Sequence, residues 1–195
     1  MADLELFLAA QRAFTERVHA IGEDQWQHDT PDDEWTVADL VGHLIDENLW
    51  AAPLMHGLDL DAAAAVVDGT RSLPVDGGVG ANLAQAWDEA ATSSADAFAG
   101  ADALERTVTL SRGPTPARRY LAEMTFDLVV HAWDLGQAIG YAEPLPADVV
   151  EPVYEQVKEL GDELSSSGLF NPPVDVPEDA SALDKLIAIT GRDPR

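Results

Sequence analysis

Residues 124–140 of the chain read MTFDLVVHAWDLGQAIG, a long apolar run that nevertheless contains three ionisable side chains. Its apolar residues recur at helical spacing on two opposite faces, which predicts a helix over residues 117–139 that is buried on nearly all sides. Prolines just before this range and a glycine just after it are typical signals for the start and the end of a helix. A helix of this kind must be covered by other helices over most of its surface.

Asp127 and His131 are four residues apart, so their side chains lie on the same side of this helix, and Asp134 follows three residues later. A buried carboxylate without a partner is costly, and it either finds compensation or changes its protonation state. A hydrogen-bonded pair with His131 would compensate Asp127, and so would a bound metal ion.

Helical patterns also occupy most of the remaining chain. Residues 58–80 are ambiguous, because their Ala-rich start favours a helical turn while their Gly and Pro content favours a loop. The alternating TVTL at 107–110 predicts a minor strand or an extended link. Helices joined by loops predict an all-α bundle, with one domain over residues 1–195 divided into a core bundle at about 1–142 and a C-terminal helical extension at 143–195. The other predicted helices span residues 3–21, 37–55, 81–99, 147–164 and 180–190.

The composition narrows the classes of function. The chain has 195 residues, a formal net charge of -25 and no cysteine. So large an acidic excess opposes binding to DNA, RNA and anionic membranes. The lack of cysteine excludes a disulfide framework, a thiolate metal site and a cysteine nucleophile. No apolar run reaches the ~18 residues that a membrane helix needs, so a cytoplasmic protein is expected.

Side chains at i and i+4 can direct an imidazole and a carboxylate to one ion, but two ligands hold a divalent ion poorly. His43, in the segment WTVADLVGHLIDE, is the candidate third ligand. Three ligands of this N/N/O type would leave open positions, as in catalytic sites. Asp134 and Glu47 are predicted to lie beside the ligands. The spacing alone leaves open that Asp127 and His131 are simply a buried hydrogen-bonded pair. If they bind metal, affinity is expected to fall as the pH drops through the histidine range near ~6.5.

The sequence resembles the DinB-like metal-binding superfamily in three segments that occur in the same order: WTVADLVGHL at 35–44, DLVVHAWDLGQAIG at 127–140 and VPEDASALDKLIAITGRDP at 176–194. It is most similar to the actinobacterial branch related to the metal-binding domain of mycothiol-dependent maleylpyruvate isomerase. The resemblance implies an antiparallel four-helix bundle with additional C-terminal helices. It also implies a zinc or nickel ion, with His43, Asp127 and His131 as ligands.

The chain differs from that isomerase in two respects. The isomerase has glutamate where this chain has Asp127, so the ligand arm here is shorter by one methylene group. The isomerase also has a second C-terminal domain that helps to form its active site, whereas a short tail follows the fifth predicted helix here. The metal site can therefore persist while the substrate pocket differs.

The leading functional hypothesis is a metal-dependent enzyme, of isomerase or thiol-transferase type, that acts on a small molecule with a low-molecular-weight thiol. Mycothiol or bacillithiol chemistry follows from the resemblance, and the thiol must arrive as a cosubstrate because the chain has no cysteine. A hydrolase that uses metal-activated water is the first alternative. The second is a non-catalytic protein that binds a metal or a small ligand, and a homodimer is a possible assembly. Thiol-dependent turnover would distinguish the first two hypotheses, and the third predicts tight binding without turnover.

Overall fold

The computed structural model describes residues 2–32, 35–71, 79–166, 168 and 170–195. Most of these residues are helical, and one short hairpin interrupts the helices. The elements in chain order are α1 (Asp3–Val18), α2 (Val37–Met55), α3 (Leu60–Arg71), α4 (Val79–Ala99), a 3₁₀ turn (Ala103–Glu105), β1 (Thr107–Leu110), β2 (Gly113–Pro116), α5 (Ala117–Ile139), α6 (Ala147–Val157), α7 (Gly161–Ser166) and α8 (Ala182–Ile189).

Local chemistry sets the ends of α2 and α5, the two helices that position the site. Thr36 Oγ1 accepts a hydrogen bond from Asp39 N at 3.3 Å, and Asp39 Oδ2 accepts one from Thr36 N at 3.0 Å. This reciprocal capping box satisfies two amides that the helix itself leaves free. Helix α5 begins directly after Pro116 and ends at Gly140, whose φ of 67° is left-handed. Both helices have the predicted boundaries.

Other predicted boundaries differ from the structure. The predicted helix over 147–164 is wrong as one element, because α6 and α7 are separate. Leu160 N donates to the Val157 carbonyl at 2.8 Å, a tightened turn that ends α6 and packs Leu160 against the core. The ambiguous segment at 58–80 contains α3, whose first turn is capped by Asp59 Oδ1 accepting from Ala62 N at 2.9 Å. Residues 72–78 of that segment lie outside the described residues.

Helices α1, α2, α4 and α5 form a four-helix bundle in which α1 and α2 each pack against α4 and α5. The ring pairs Phe7–Phe98 and Phe14–Trp87 show that α1 and α4 run antiparallel. Helices α2 and α5 are also antiparallel, since Arg106 joins the end of α2 to the start of α5. Its Nη1 donates to the carbonyl of the last residue of α2 at 3.3 Å, and its carbonyl accepts from the first amide of α5 at 2.9 Å.

The remaining elements cover the bundle. The predicted minor strand forms β1, which pairs antiparallel with β2. Helix α6 packs on α5, and α8 packs on α6, so the C-terminal helices form an outer layer next to the bundle. Helix α5 is buried along most of its length, as its apolar pattern predicts. The structure therefore confirms an all-α bundle with additional C-terminal helices. Among the described residues, the helices fall short of the length and apolarity that crossing a membrane requires.

Candidate metal centre

The bundle brings the three predicted ligands, His43, Asp127 and His131, together between α2 and α5. His43 Nε2 lies 3.2 Å from Asp127 Oδ2, and His131 Nε2 lies 3.4 Å from Asp127 Oδ1. One donor atom from each side chain lies within 4.8 Å of the other two. Asp127 and His131 meet because they are four residues apart on α5. His43 meets them because α2 packs against α5.

These separations suit the ligands of one small divalent ion. A tetrahedral ion bound at ~2.0–2.1 Å holds its ligand atoms about 3.3 Å from one another. The two nitrogen–oxygen separations, 3.2 and 3.4 Å, are of this size, although each histidine faces a different oxygen of Asp127. The side chains of His43 and Asp127 are 29% and 25% exposed, so a small reactant can approach them from solvent. The residues present therefore fit a divalent ion with open coordination positions.

Asp134 supports His131 from the buried side. Its Oδ2 lies 2.9 Å from His131 Nδ1, and its carboxylate is fully buried. This contact assigns a proton to Nδ1, so in the neutral imidazole the lone pair lies on Nε2, which faces Asp127 and His43. Asp134 thus lies beside the candidate ligands and fixes the orientation of one of them.

The indole of Trp35 lies against both imidazoles. Its ring centroid is 4.8 Å from that of His43 and 5.7 Å from that of His131, and it stacks on the His131 ring at an interplanar angle of 26°. Trp35 directly precedes Thr36, the residue that caps α2. The capped start of α2 therefore also places an aromatic wall over the two histidines.

The charges of the site influence each other strongly. Burial alone would raise the pKa of Asp127, but the charge of His131 and hydrogen bonds with both imidazoles hold that pKa well below its usual range. Burial lowers the pKa of His131, yet Asp127 and Asp134 raise it overall to about 9. Near neutral pH, the metal-free site therefore contains a carboxylate beside an imidazolium. A metal ion bound here would have to displace that proton, so its binding would require a higher pH than binding to an ordinary histidine.

Glu47 lies half-buried on α2, one turn after His43. Burial raises the pKa of its carboxyl group, and the negative charge of Asp127 raises it further. A carboxyl group with a raised pKa beside the candidate ligands is suited to exchanging a proton with a reactant.

A second group of ionisable side chains lies on the Nδ1 side of His131. Asp32, Asp134 and His131 also offer donor atoms within 4.8 Å of one another. Arg192 occupies the space between the two carboxylates, since its Nε donates to Asp134 Oδ1 at 2.7 Å and its Nη2 donates to Asp32 Oδ2 at 2.6 Å. The guanidinium pairs with both carboxylates, so the cluster is an ion-pair network that supports the candidate metal centre.

Trp35, Asp32 and Arg192 were not predicted to belong to the site. Trp35 and Arg192 lie in two of the segments that resemble the superfamily, and this was the available signal. Their distance in sequence from α5 gives no hint of contact, because α2 to α4 separate Asp32 and Trp35 from α5, and α6 to α8 separate Arg192 from it.

The fold and the converging side chains define the class, a DinB-like helical bundle with a candidate metal centre. The description "Mycothiol maleylpyruvate isomerase N-terminal domain" belongs to the family whose model matches residues 7–136, and this range includes all three candidate ligands. The chain belongs to this family.

Relatives and solved structures extend the comparison beyond that range. The uncharacterized proteins MT0763 and Rv0738 of Mycobacterium tuberculosis are each 29% identical over 192 residues, with 95% of both chains covered. The crystal structure of the mycothiol-dependent maleylpyruvate isomerase matches with a TM-score of 0.66 and 15% identity, covering 97% of this chain and 88% of that one. A histidine-to-alanine mutant of that isomerase matches with a TM-score of 0.62 and 16% identity, covering 85% and 71%. At such identities, the structural likeness establishes the shared fold.

Proposed function

We propose that this protein is a metal-dependent enzyme that uses a low-molecular-weight thiol, with one zinc or nickel ion held by His43, Asp127 and His131. The observation that carries the proposal is the convergence of two imidazole nitrogens and a carboxylate on one partly exposed point. Structural zinc sites are closed by four protein ligands, whereas three ligands with an open side leave a position for a reactant. Membership of the mycothiol maleylpyruvate isomerase N-terminal domain family supports a thiol as that reactant.

The residues of the site have distinct roles in this proposal. A divalent ion lowers the pKa of a bound thiol or water and so makes it a nucleophile near neutral pH. His43 and His131 provide neutral nitrogen ligands, and Asp127 provides the negative charge. Glu47 accepts the proton that the thiol loses. Trp35 keeps water away from one side of the imidazoles.

The thiol is a cosubstrate, because the chain has no cysteine of its own. The solved relatives are named for mycothiol and maleylpyruvate, so these two compounds are the first pair to test. The isomerase or thiol-transferase type of reaction follows from the same relationship. The single-domain organisation, the homodimer and the cytoplasmic location stay predictions.

Metal content tests the first half of the proposal. The chain is purified without a histidine tag, and zinc and nickel are measured by mass spectrometry together with a chelator competition. One ion per chain is expected. His131→Ala should abolish tight binding, because one histidine and one carboxylate remain. His56→Ala is the matched control, since His56 is exposed and lies outside the candidate ligands. Stoichiometric tight binding by His131→Ala would contradict the ligand set.

A turnover assay tests the second half of the proposal, the thiol-dependent reaction. The metal-loaded protein is mixed with maleylpyruvate in the presence and absence of mycothiol, and consumption of the substrate is followed by absorbance. Turnover that requires both the metal and the thiol is expected. Thiol-independent hydrolysis of a substrate would support the hydrolase alternative. Tight ligand binding without turnover across a panel of electrophiles would support the non-catalytic alternative.

A further inference from the structure

Arg192 is a buried cation that connects the end of the chain to the candidate metal centre. Its side chain is 8% exposed and lies between two carboxylates. Its Nε is 2.7 Å from Asp134 Oδ1, and its Nη2 is 2.6 Å from Asp32 Oδ2. Asp134 in turn accepts from His131 Nδ1 at 2.9 Å. A continuous chain of charged contacts therefore runs from the loop before α2 through Arg192 and Asp134 to a candidate ligand.

A turn after α8 that requires a glycine places Arg192 in this position. Helix α8 ends at Ile189, and Gly191 follows with a φ of +82°. A Cβ atom on Gly191 would lie 2.4 Å from the Cβ of Asn171, so only glycine fits here without a shift of the backbone. The amide of Val174 donates to the carbonyl of Ala188 at 2.9 Å, and this bond links the residues that precede α8 to the end of that helix. We call residues 171–195 the C-terminal arm.

Asp134 can orient His131 only if its own carboxylate is held in place. It is fully buried, and a buried carboxylate needs a partner of opposite charge. Arg192 is that partner. It binds Oδ1, which leaves Oδ2 directed at His131 Nδ1. The guanidinium also binds Asp32, three residues before the indole that covers the histidines.

We propose that Arg192 is a positioning residue of the metal centre, and that the C-terminal arm is thereby part of the centre. Arg192 acts through Asp134 on the orientation of His131. The inference rests on the proposed metal site. Coupling between two binding events is reciprocal, so docking of the arm strengthens metal binding, and metal binding strengthens docking of the arm.

Zinc affinity of matched variants tests this coupling. Arg192→Met removes the charge but keeps much of the side-chain length, and Arg192→Lys keeps a cation that can reach one carboxylate. Arg195→Ala is the control, because Arg195 lies in the same arm, is exposed and pairs only with Asp193 among the described contacts. Arg192→Met is expected to weaken Zn²⁺ binding by ~10–100-fold, the usual effect of removing support from a ligand. Arg192→Lys should weaken it less, and Arg195→Ala should bind as the unaltered chain does.

Two further readouts separate positioning from a purely structural role. The visible absorption spectrum of the Co²⁺-loaded site reports ligand geometry, and it should change in Arg192→Met and partly recover in Arg192→Lys. Amide hydrogen exchange in the arm should slow on addition of Zn²⁺ to the unaltered chain, and this protection should be lost in Arg192→Met. Both readouts use the full-length protein with the metal ion alone.

The outcomes are distinguishable. If the unaltered chain binds no metal, the proposed site and this inference are both overturned. If it binds Zn²⁺ but Arg192→Met binds within about twofold of it with an unchanged Co²⁺ spectrum, the inference alone is overturned. The same holds if Arg192→Lys binds no tighter than Arg192→Met, or if Zn²⁺ leaves exchange in the arm unchanged. If Arg192→Met does not fold, the comparison of Arg192→Lys with Arg195→Ala decides, and equal affinity of these two variants overturns the inference.

Discussion

The affinity of this protein for a divalent ion should rise steeply with pH between about 6.5 and 9. The structure gives the reason in the environment of His131. Although burial lowers the pKa of this imidazole, the carboxylates of Asp127 and Asp134 raise it to about 9. Asp127 itself stays ionised, because its pKa lies well below the usual range. His131 of the metal-free site therefore holds a proton at neutral pH, and a bound metal ion would have to displace it.

The size of the effect follows from that pKa. With a pKa of about 9, roughly 1% of the metal-free sites carry a neutral His131 at pH 7. The apparent affinity at pH 7 should therefore lie roughly two orders of magnitude below its limit at high pH. Below about pH 8, the affinity should rise about tenfold per pH unit, and the rise should level off around pH 9. An ordinary histidine with a pKa of 6.5 would give almost no change above pH 7.5.

Calorimetric titration with Zn²⁺ measures this directly. Chelator competition gives the affinity at each pH, and the dependence of the observed enthalpy on the ionisation enthalpy of the buffer gives the number of protons released. About one proton should be released at pH 7, and fewer as the pH approaches 9. Nuclear magnetic resonance of the metal-free protein should show His131 titrating near the same pH. An affinity that stays constant between pH 6.5 and 8.5, with no proton released, would refute the reasoning.

Three further outcomes are expected. The metal-free protein should lose thermal stability as the pH rises above 6.5 and through 9. A histidine whose pKa is raised by folding stabilises the fold fully below its unfolded-state pKa, and this contribution is lost above its folded-state pKa. Calorimetry of chelator-treated protein would check this, and a melting temperature that rises over the interval would contradict it. Glu47→Gln should lower thiol-dependent kcat by ~10²–10⁴-fold while zinc affinity changes little, as expected for a proton acceptor that is not a ligand. An unchanged kcat would show that Glu47 is not the proton acceptor. Gly191→Ala should lower the free energy of unfolding by about 1–3 kcal/mol or more, because of both its φ of +82° and the 2.4 Å approach of the new Cβ to Asn171. Gly57→Ala is the control, since Gly57 has a φ of +83° but open space around it, and it should cost less. Equal losses of stability in thermal unfolding would exclude the close approach as a cause.

The sequence predicts helix ends well where local chemistry decides them. The capping box at Thr36 and the proline and glycine around α5 act within one turn of the helix, so both helices have their predicted boundaries. The division between α6 and α7, a turn at 158–160, was not predicted, although Gly161 directly follows it and was an available signal. That turn forms because Leu160 packs against the core, and such a tertiary contact leaves no periodic signal along the chain.

The candidate site shows the same difference between contacts that local sequence predicts and contacts that depend on packing. The helical repeat predicts that Asp127 and His131 share a face, since the pair depends on α5 alone. His43 is 84 residues from Asp127 in sequence, so it was selected for its place in a second predicted helix, and the family resemblance implies the same ligand. Arg192 is 58 residues from Asp134 and 160 residues from Asp32, and only the docking of the C-terminal arm brings them together. Contacts of this range depend on the packing of whole elements.

The charge balance of the site explains how a largely apolar helix can hold three ionisable groups. Exposure falls from 25% at Asp127 to 5% at His131 and 0% at Asp134, so the buried end needs internal compensation, and Arg192 provides it.

With His131 protonated, the two aspartates of α5 and Asp32 outweigh Arg192 and the imidazolium by one negative charge. Replacing that single proton with a divalent ion would bring the same groups to neutrality. Charges in a partly buried cluster are least costly when they are paired, so at the proposed metal site this balance would favour a divalent over a monovalent ion and would couple its binding to the release of the His131 proton.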